Sequence, residues 1–298
     1  FPLEEQKRFN TYVAEHMGFN FKAGRMDAST HPFTTNFHPK DVRFTTRFAE
    51  NNLLYSLGST MHETGHALYE QGMKAEHFGT PLAEAISLGI HESQSRMWEN
   101  NIGKGRAFWH FLYPKLQKQF PKPFKSLAFE EFYRIINHVT PSFIRTEADE
   151  VTYNLHILLR YELERDLIEG KIKAKDLPKI WNKKMKAYFG LTVPNDRLGI
   201  LQDVHWSAGL FGYFPTYTLG NLYAAQFYTA AQKAIPDLET QLKRGECAPL
   251  REWLRKNIHT HGKYHTAKSL VQQVTGESLN SRFFIEYLTK KYSELHQR

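Results

Sequence analysis

Residues 62–66 read His62-Glu63-Thr64-Gly65-His66, two histidines four apart with a glutamate between them. On a helix, residues i and i+4 lie one above the other on the same face, so both imidazoles can address a single ion. Glu63 projects from a neighbouring face of the same turn, within reach of a water at that ion. Neutral imidazoles suit zinc, which lowers the pKa of bound water to about 7. The pattern is the sequence form of a metallopeptidase site. A chain with 15 histidines can also produce it by chance, so its context matters. Leu53, Leu57, Met61 and Leu68 recur at helical spacing around it, which predicts a buried helix with Gly72 as its stop. Gly65 and Ala67 are small and leave room for other groups to approach.

Such an ion needs a third protein ligand and a position left for water. The variant with a third histidine further along is absent, because the matching positions carry Tyr69 and Gly72. A carboxylate on a second helix is the expected donor. Thr80-Pro81 has the form of an N-cap followed by proline at the first helical position, predicting a helix over 81–101. That segment offers Glu84, His91, Glu92 and Glu99. Glu92 and Glu99 are seven apart and share a helix face, whereas Glu84 near the start is the usual place for a carboxylate that only complements the helix dipole. Spacing leaves Glu92 and Glu84 both open.

The stretch from His91 to Asn100, His-Glu-Ser-Gln-Ser-Arg-Met-Trp-Glu-Asn, resembles the second zinc motif of the thermostable, Taq-type metallocarboxypeptidases. Further stretches are similar to that family's signatures and follow in its order: His31-Pro32-Phe33, Asp41-x-Arg43-x-Thr45, Ile144-Arg145-x-x-Ala148-Asp149, Gly199-x-x-Gln202-Asp203-x-His205-Trp206, and Gly212-Tyr213-Phe214-Pro215-Thr216-Tyr217. The resemblance covers residues 31 to about 220; the tail from about 225 carries no such motif. It implies a mainly α fold, a helical zinc-peptidase architecture with a deep cleft. It implies His62, His66 and Glu92 as ligands of one divalent metal, zinc or cobalt, with Glu63 as general base. Substrates would be peptides with a free C-terminus, losing one residue at a time. An oligopeptidase or endopeptidase with the same metal site is the alternative. Family members are considerably longer, so the chain is expected to be a single catalytic region, 1–298, forming the C-terminal part of such a protein without the N-terminal helical wall of the cleft. A fragment that needs a separate N-terminal half is the non-catalytic reading. A homodimer is expected for the longer form.

Four residues are then candidates for substrate binding. An exopeptidase must recognise a free α-carboxylate, and the planar fork of an arginine suits that task. Arg145 is the candidate, either reading the carboxylate or closing the cleft end by pairing with Asp203; the plain alternative is an ion pair with Asp149 at i+4. His31 and Arg43 belong to the β-rich stretch, where Arg43 and Asp41, two apart on a strand, predict a local ion pair. Peptide hydrolysis also builds a negative oxygen that a positioned phenol or imidazole stabilises. Related helical zinc peptidases use a histidine and a tyrosine about a dozen residues apart, which matches His205 and Tyr217; Tyr213 competes for the role.

Residues 29–37 and 42–48 are rich in β-branched and aromatic types, with a turn at 38–41. They predict a small antiparallel β-hairpin beside the metal helix, whose edge strand could pair with an extended peptide. Helices are predicted at 4–20, 49–72, 81–101, 105–119, 128–137, 145–169, 176–189 and 216–234, with more in the tail. Loops are predicted at 121–123 and 192–196.

The bulk composition agrees with a globular enzyme. Hydrophobic residues make up 41% and aromatics 14% of 298 residues, enough for a large core and unlike a disordered or fibrous chain. The single Cys247 excludes an internal disulfide and fits a reducing cytoplasm. No apolar run approaches the ~20 residues of a membrane span. The net charge of +8 is spread along the chain without a nucleic-acid motif, which argues against nucleic acid as a partner.

Overall fold

The computed structural model describes residues 1–296. The chain divides into two compact units, one made of Phe1–Ile136 together with the segment from Gly220 onward, the other of Asn137–Leu219.

The first unit is mainly helical with one small sheet, and three of its helices, with the sheet, frame the His-Glu-x-x-His segment. Helix α1, Leu3–Met17, buries Phe9, Val13 and Met17, four apart along one face, and stops at Gly18 with φ 107°, a left-handed cap that glycine adopts without strain. A three-stranded sheet follows: β1 is Gly24–Ala28, β2 is Thr34–His38 and β3 is Asp41–Thr46, in the order β1-β3-β2. The expected hairpin is β2 and β3, paired antiparallel; β1 joins parallel to β3 and was not anticipated, because a Gly-Arg-Met-Asp-Ala stretch carries little strand propensity of its own. Met26, Val42 and Phe44 point inward and pack with Ala14 of α1 and Ala67.

Helix α2, Leu53–Gly72, carries the His-Glu-x-x-His segment. Asn52 caps it by accepting from the Tyr55 amide, and Leu53, Leu57, Met61 and Leu68 are buried as their spacing predicts. Helix α3, Leu88–Arg96, is shorter than the expected 81–101 element. Thr80 and Pro81 cap only a single 3-10 turn, Pro81–Ala83, and the helix starts again at Ser87, whose hydroxyl accepts from the Ile90 amide at 3.2 Å. It then widens into a π-turn, Met97–Ile102. The core of this unit gathers Trp98, Phe108, Trp109, Leu112, Phe132 and Phe227 among many others.

The second unit packs helix Tyr153–Ile168 against helix Leu177–Phe189 through Leu159, Leu163, Trp181 and Met185. The helix expected from 145 begins only at Tyr153. Arg145–Glu147 is a 3-10 turn, and Asp149 accepts from the Val151 and Thr152 amides, competing with helix formation before it. Pro121–Phe124, expected as loop, forms one helical turn with proline at its start. No helix among the described residues is long and apolar enough to cross a membrane.

Candidate active site

His62 and His66 lie on the face of α2 turned toward α3. The helices approach closely because residue 65 is glycine: a Cβ there would sit 2.7 Å from the Gln94 carbonyl oxygen and from the Ser95 Cα. This close approach brings Glu92 to the two histidines. Its Oε2 lies 3.3 Å from His66 Nε2 and 3.7 Å from His62 Nε2. One ligand atom from each of the three residues falls within 4.8 Å of the others. Donors on a tetrahedral zinc with bonds of about 2.0–2.1 Å stand ~3.3 Å apart, so the spacing fits such an ion with little adjustment. Gly220 closes the back of the cluster; a Cβ there would meet Glu92 Cγ at 2.3 Å.

The remaining hydrogen bonds aim these donors. His62 Nδ1 donates to Glu99 Oε2 at 2.8 Å and His66 Nδ1 donates to the His91 carbonyl at 3.1 Å, which turns both Nε2 atoms toward Glu92, His66 Nε2 as an acceptor and His62 Nε2 as one once it has lost its proton. Arg96 binds Glu92 Oε1 at 2.9 Å, leaving Oε2 to the histidines, and Glu99 Oε2 at 3.1 Å, the same oxygen that His62 meets. Burial and the nearby His91 and His62 push His66 down to about 3, so it is neutral and ready to ligate. Burial lowers His62 too, but Glu92, Glu99 and Glu63 together outweigh it and lift His62 to about 9. Burial opposes the charge on Glu92, yet His62 and Arg96 hold its carboxyl well below the usual range. These donor types suit a divalent first-row metal, with His66 already neutral and His62 giving up a proton to ligate.

Glu63 occupies the adjacent stripe of α2, toward the sheet. Burial raises its pKa, and Thr34 opposes that by donating to Oε2 at 2.7 Å. A buried carboxylate with a raised pKa and one fixed donor is poised to exchange protons.

In the second unit, Asp203 lies between two guanidiniums. Arg145 Nε donates to Oδ1 at 3.0 Å and Arg160 Nε donates to Oδ2 at 2.7 Å. Burial works against the charge of Asp203, but Arg160 and Arg145 prevail and hold its pKa below the ordinary value. Arg145 also donates to the Tyr153 hydroxyl at 2.9 Å and lies 4.7 Å from the ring centre of Tyr217. The i+4 pair with Asp149 is not its partner. His205 Nε2 and the Tyr217 hydroxyl are 2.9 Å apart, and the Tyr213 ring is 5.5 Å from that of His205.

Other expected residues stand elsewhere. Glu84 is exposed and pairs with Lys263, which removes it from the ligand alternatives. Arg43 forks onto Asp41 as predicted, on the sheet face away from the buried Val42 and Phe44. His31 lies in the exposed turn before β2, its carbonyl accepting from Ser29. Sequence reasoning missed Thr34, Glu70, Arg96 and Arg160. Glu70 is seven residues beyond Glu63 and Arg96 four beyond Glu92, so helical spacing could have found both; nothing local marks Thr34 or Arg160.

Comparison with known proteins agrees with this geometry. The family profile of Carboxypeptidase Taq (M32) metallopeptidases matches residues 1–292. The chain is 47% identical to thermostable carboxypeptidase 1 of Thermus thermophilus over 296 residues, covering 99% of this chain and 58% of that protein. It is 45% identical to carboxypeptidase 1 of Bacillus subtilis, covering 99% of this chain and 59% of that protein. Its backbone follows the crystal structure of the M32 carboxypeptidase from Deinococcus radiodurans with a TM-score of 0.98 at 44% identity, over 100% of this chain and 60% of that one. The chain therefore spans less than two thirds of the length of these relatives. With the His62–His66–Glu92 cluster in the same framework, the chain belongs to the Taq-type (M32) family of metallocarboxypeptidases.

Proposed function

We propose that this chain carries the catalytic centre of a metal-dependent carboxypeptidase that removes single residues from peptides with a free C-terminus. The observation that carries the reading is the convergence of His62 Nε2, His66 Nε2 and Glu92 Oε2 beside the buried Glu63. These three residues would hold the ion, zinc by default and cobalt as a competent substitute. A bound divalent ion supplies Lewis acidity, making water a nucleophile near neutral pH and polarising the scissile carbonyl. Glu63 takes the proton of the attacking water, its carboxylate oriented by Thr34, and passes that proton to the leaving amine. Glu99 and the His91 carbonyl keep the two imidazoles in the ligating tautomer. Tyr217, paired with His205, offers its phenol to the oxygen that becomes negative, with Tyr213 as the alternative. Arg145 pairs with Asp203 and lies 4.7 Å from the ring centre of Tyr217, and its planar fork beside that phenol supports it as the reader of the substrate carboxylate. The outer edge of β2 supports binding of an extended peptide, with His31 in the turn before that strand and Arg43 on the neighbouring β3. A reducing cytoplasm suits the one, buried cysteine, and a homodimer follows the family resemblance.

Metal content per chain after dialysis, in the parent and in Glu92→Ala, tests the ligand set. One tightly held ion in the parent and its loss in the variant are expected; equal metal in both refutes the assignment. Product analysis on a blocked peptide then separates the activities: single C-terminal residues support the proposal, and internal fragments identify an endopeptidase.

A further inference from the structure

Glu63, Ala67 and Glu70 form one stripe of α2 that faces the sheet, distinct from the His62 and His66 stripe that faces α3. Strand β2 ends the sheet order, so among the described residues one of its edges has no strand against it. Thr34, half-buried, and Asn36, exposed at the sheet margin, lie on the face that turns toward α2, opposite Phe44 and Val42. Both reach the stripe. Thr34 donates to Glu63 at 2.7 Å, and Asn36 Nδ2 donates to Glu70 Oε2. Glu70 Oε1 in turn accepts from His91 Nε2 at 2.7 Å. His91 meets His66 in two ways: the rings stack with centres 4.4 Å apart, and its carbonyl accepts from His66 Nδ1 at 3.1 Å. Two side chains on the α2-facing side of an edge strand therefore end on the proton acceptor and, through Glu70 and His91, on a candidate metal ligand. Glu70 is buried at 8% exposure, a costly place for a carboxylate unless its hydrogen bonds matter.

We propose that β2 couples occupancy of its free edge to the metal site, with Asn36, Glu70 and His91 as positioning residues for His66. The proposal rests on the reading above that a peptide lies along that edge. A peptide pairing with β2 fixes the strand backbone and with it Asn36; a fixed Asn36 holds Glu70, and Glu70 holds the His91 ring against His66. A ligand that orders this line tightens the metal, and by linkage the metal tightens the ligand by the same factor.

Cobalt affinity, measured by chelator competition with and without a peptide whose last peptide bond cannot be hydrolysed, tests the coupling; peptide binding is followed separately by fluorescence. In the parent the peptide should tighten cobalt several-fold. Glu70→Gln should weaken cobalt by roughly 10–100-fold, the usual effect of removing such a supporting partner. Asn36→Ala should weaken it less and abolish the peptide's effect while peptide still binds. The double variant should lose no more than Glu70→Gln alone, because both act along one line. Thr35→Ala, on the outward face, should match the parent. The cobalt absorption spectrum should shift in Glu70→Gln, which a merely structural role would leave unchanged; circular dichroism of the metal-free forms reports folding. Unchanged cobalt affinity in Glu70→Gln, or an undiminished peptide effect in Asn36→Ala, overturns the proposal. A parent that binds cobalt but no peptide removes the coupling together with the proposed function, while the variants' cobalt affinities still decide whether the line positions His66.

Discussion

Metal uptake by this site should release one proton from His62. Three carboxylates hold that imidazole at about 9, whereas His66 at about 3 is already neutral. At pH 7 His62 sits about two pH units below its midpoint, so deprotonating it costs about 2.7 kcal/mol and weakens metal binding about 100-fold relative to pH well above 9. The dissociation constant should fall about tenfold per pH unit between 7 and 9 and level off above. Calorimetric titration of the metal-free protein with zinc at pH 6.5, in two buffers of different ionisation enthalpy, counts the protons directly. About one per metal is expected. Ionisation of solvent at the ion can only add to the count, so a value near zero would falsify the charge balance drawn here for His62, Glu92 and Glu99. Stability carries the same signature. A histidine whose folded pKa is raised contributes stability that is fully present below about 6.5 and is lost as pH rises through about 9. The melting temperature of the metal-free protein should drop across that window, and the metal-loaded protein should not follow it.

Further expectations concern single residues. Gly65→Ala places a methyl group against the Gln94 and Ser95 backbone, so α3 must move; a loss of about 1–3 kcal/mol in denaturant unfolding is expected, and unchanged stability would show that the helices have slack there. Thr34→Val removes the donor that lowers the pKa of Glu63. Because a base must be ionised to act, the acid limb of the kcat/KM profile should move to higher pH; an unmoved limb takes Glu63 out of that role. Tyr217→Phe should lower kcat by roughly 10²–10³ with little change in KM, and a normal kcat would shift attention to Tyr213.

The His62–His66–Glu92 cluster was legible because helical periodicity is a local property. His62 and His66, with Glu63 between them, needed only their own helix, and Glu92 needed one family-like stretch. The neighbours that aim them were harder to read. Thr34 and Asn36 reach α2 only after a strand has crossed it, a contact between residues about 30 apart that no spacing encodes. Arg160 lies in a helix whose apolar pattern ignores it, and its partner Asp203 is 43 residues away. Helix starts failed where side chains compete with the backbone. Thr80-Pro81 carries the signs of a helix start, yet Ser87 supplies the cap that α3 uses. Asp149 delays the helix that follows Arg145 by holding the amides of Val151 and Thr152. The third strand escaped notice because β1 takes its conformation from β3 rather than from its own residues.

Residues 137–219 interrupt the first unit, and that interruption orders events during synthesis. In the order of synthesis His62, His66 and Glu92 come before Gly220 and the helix that covers Glu92, which arrive only after the whole second unit has been made. The second unit is continuous and needs nothing downstream to begin packing. The first must close a gap of 83 residues, from 137 through 219, before its core is complete. For a flexible loop of that length the closure entropy is about 4 kcal/mol plus a constant, and folding the intervening unit first shortens the effective gap. The His62–His66–Glu92 cluster is thus closed only after the second unit has been made, so that an ion captured before then would meet two imidazoles and an uncovered carboxylate rather than the closed cluster.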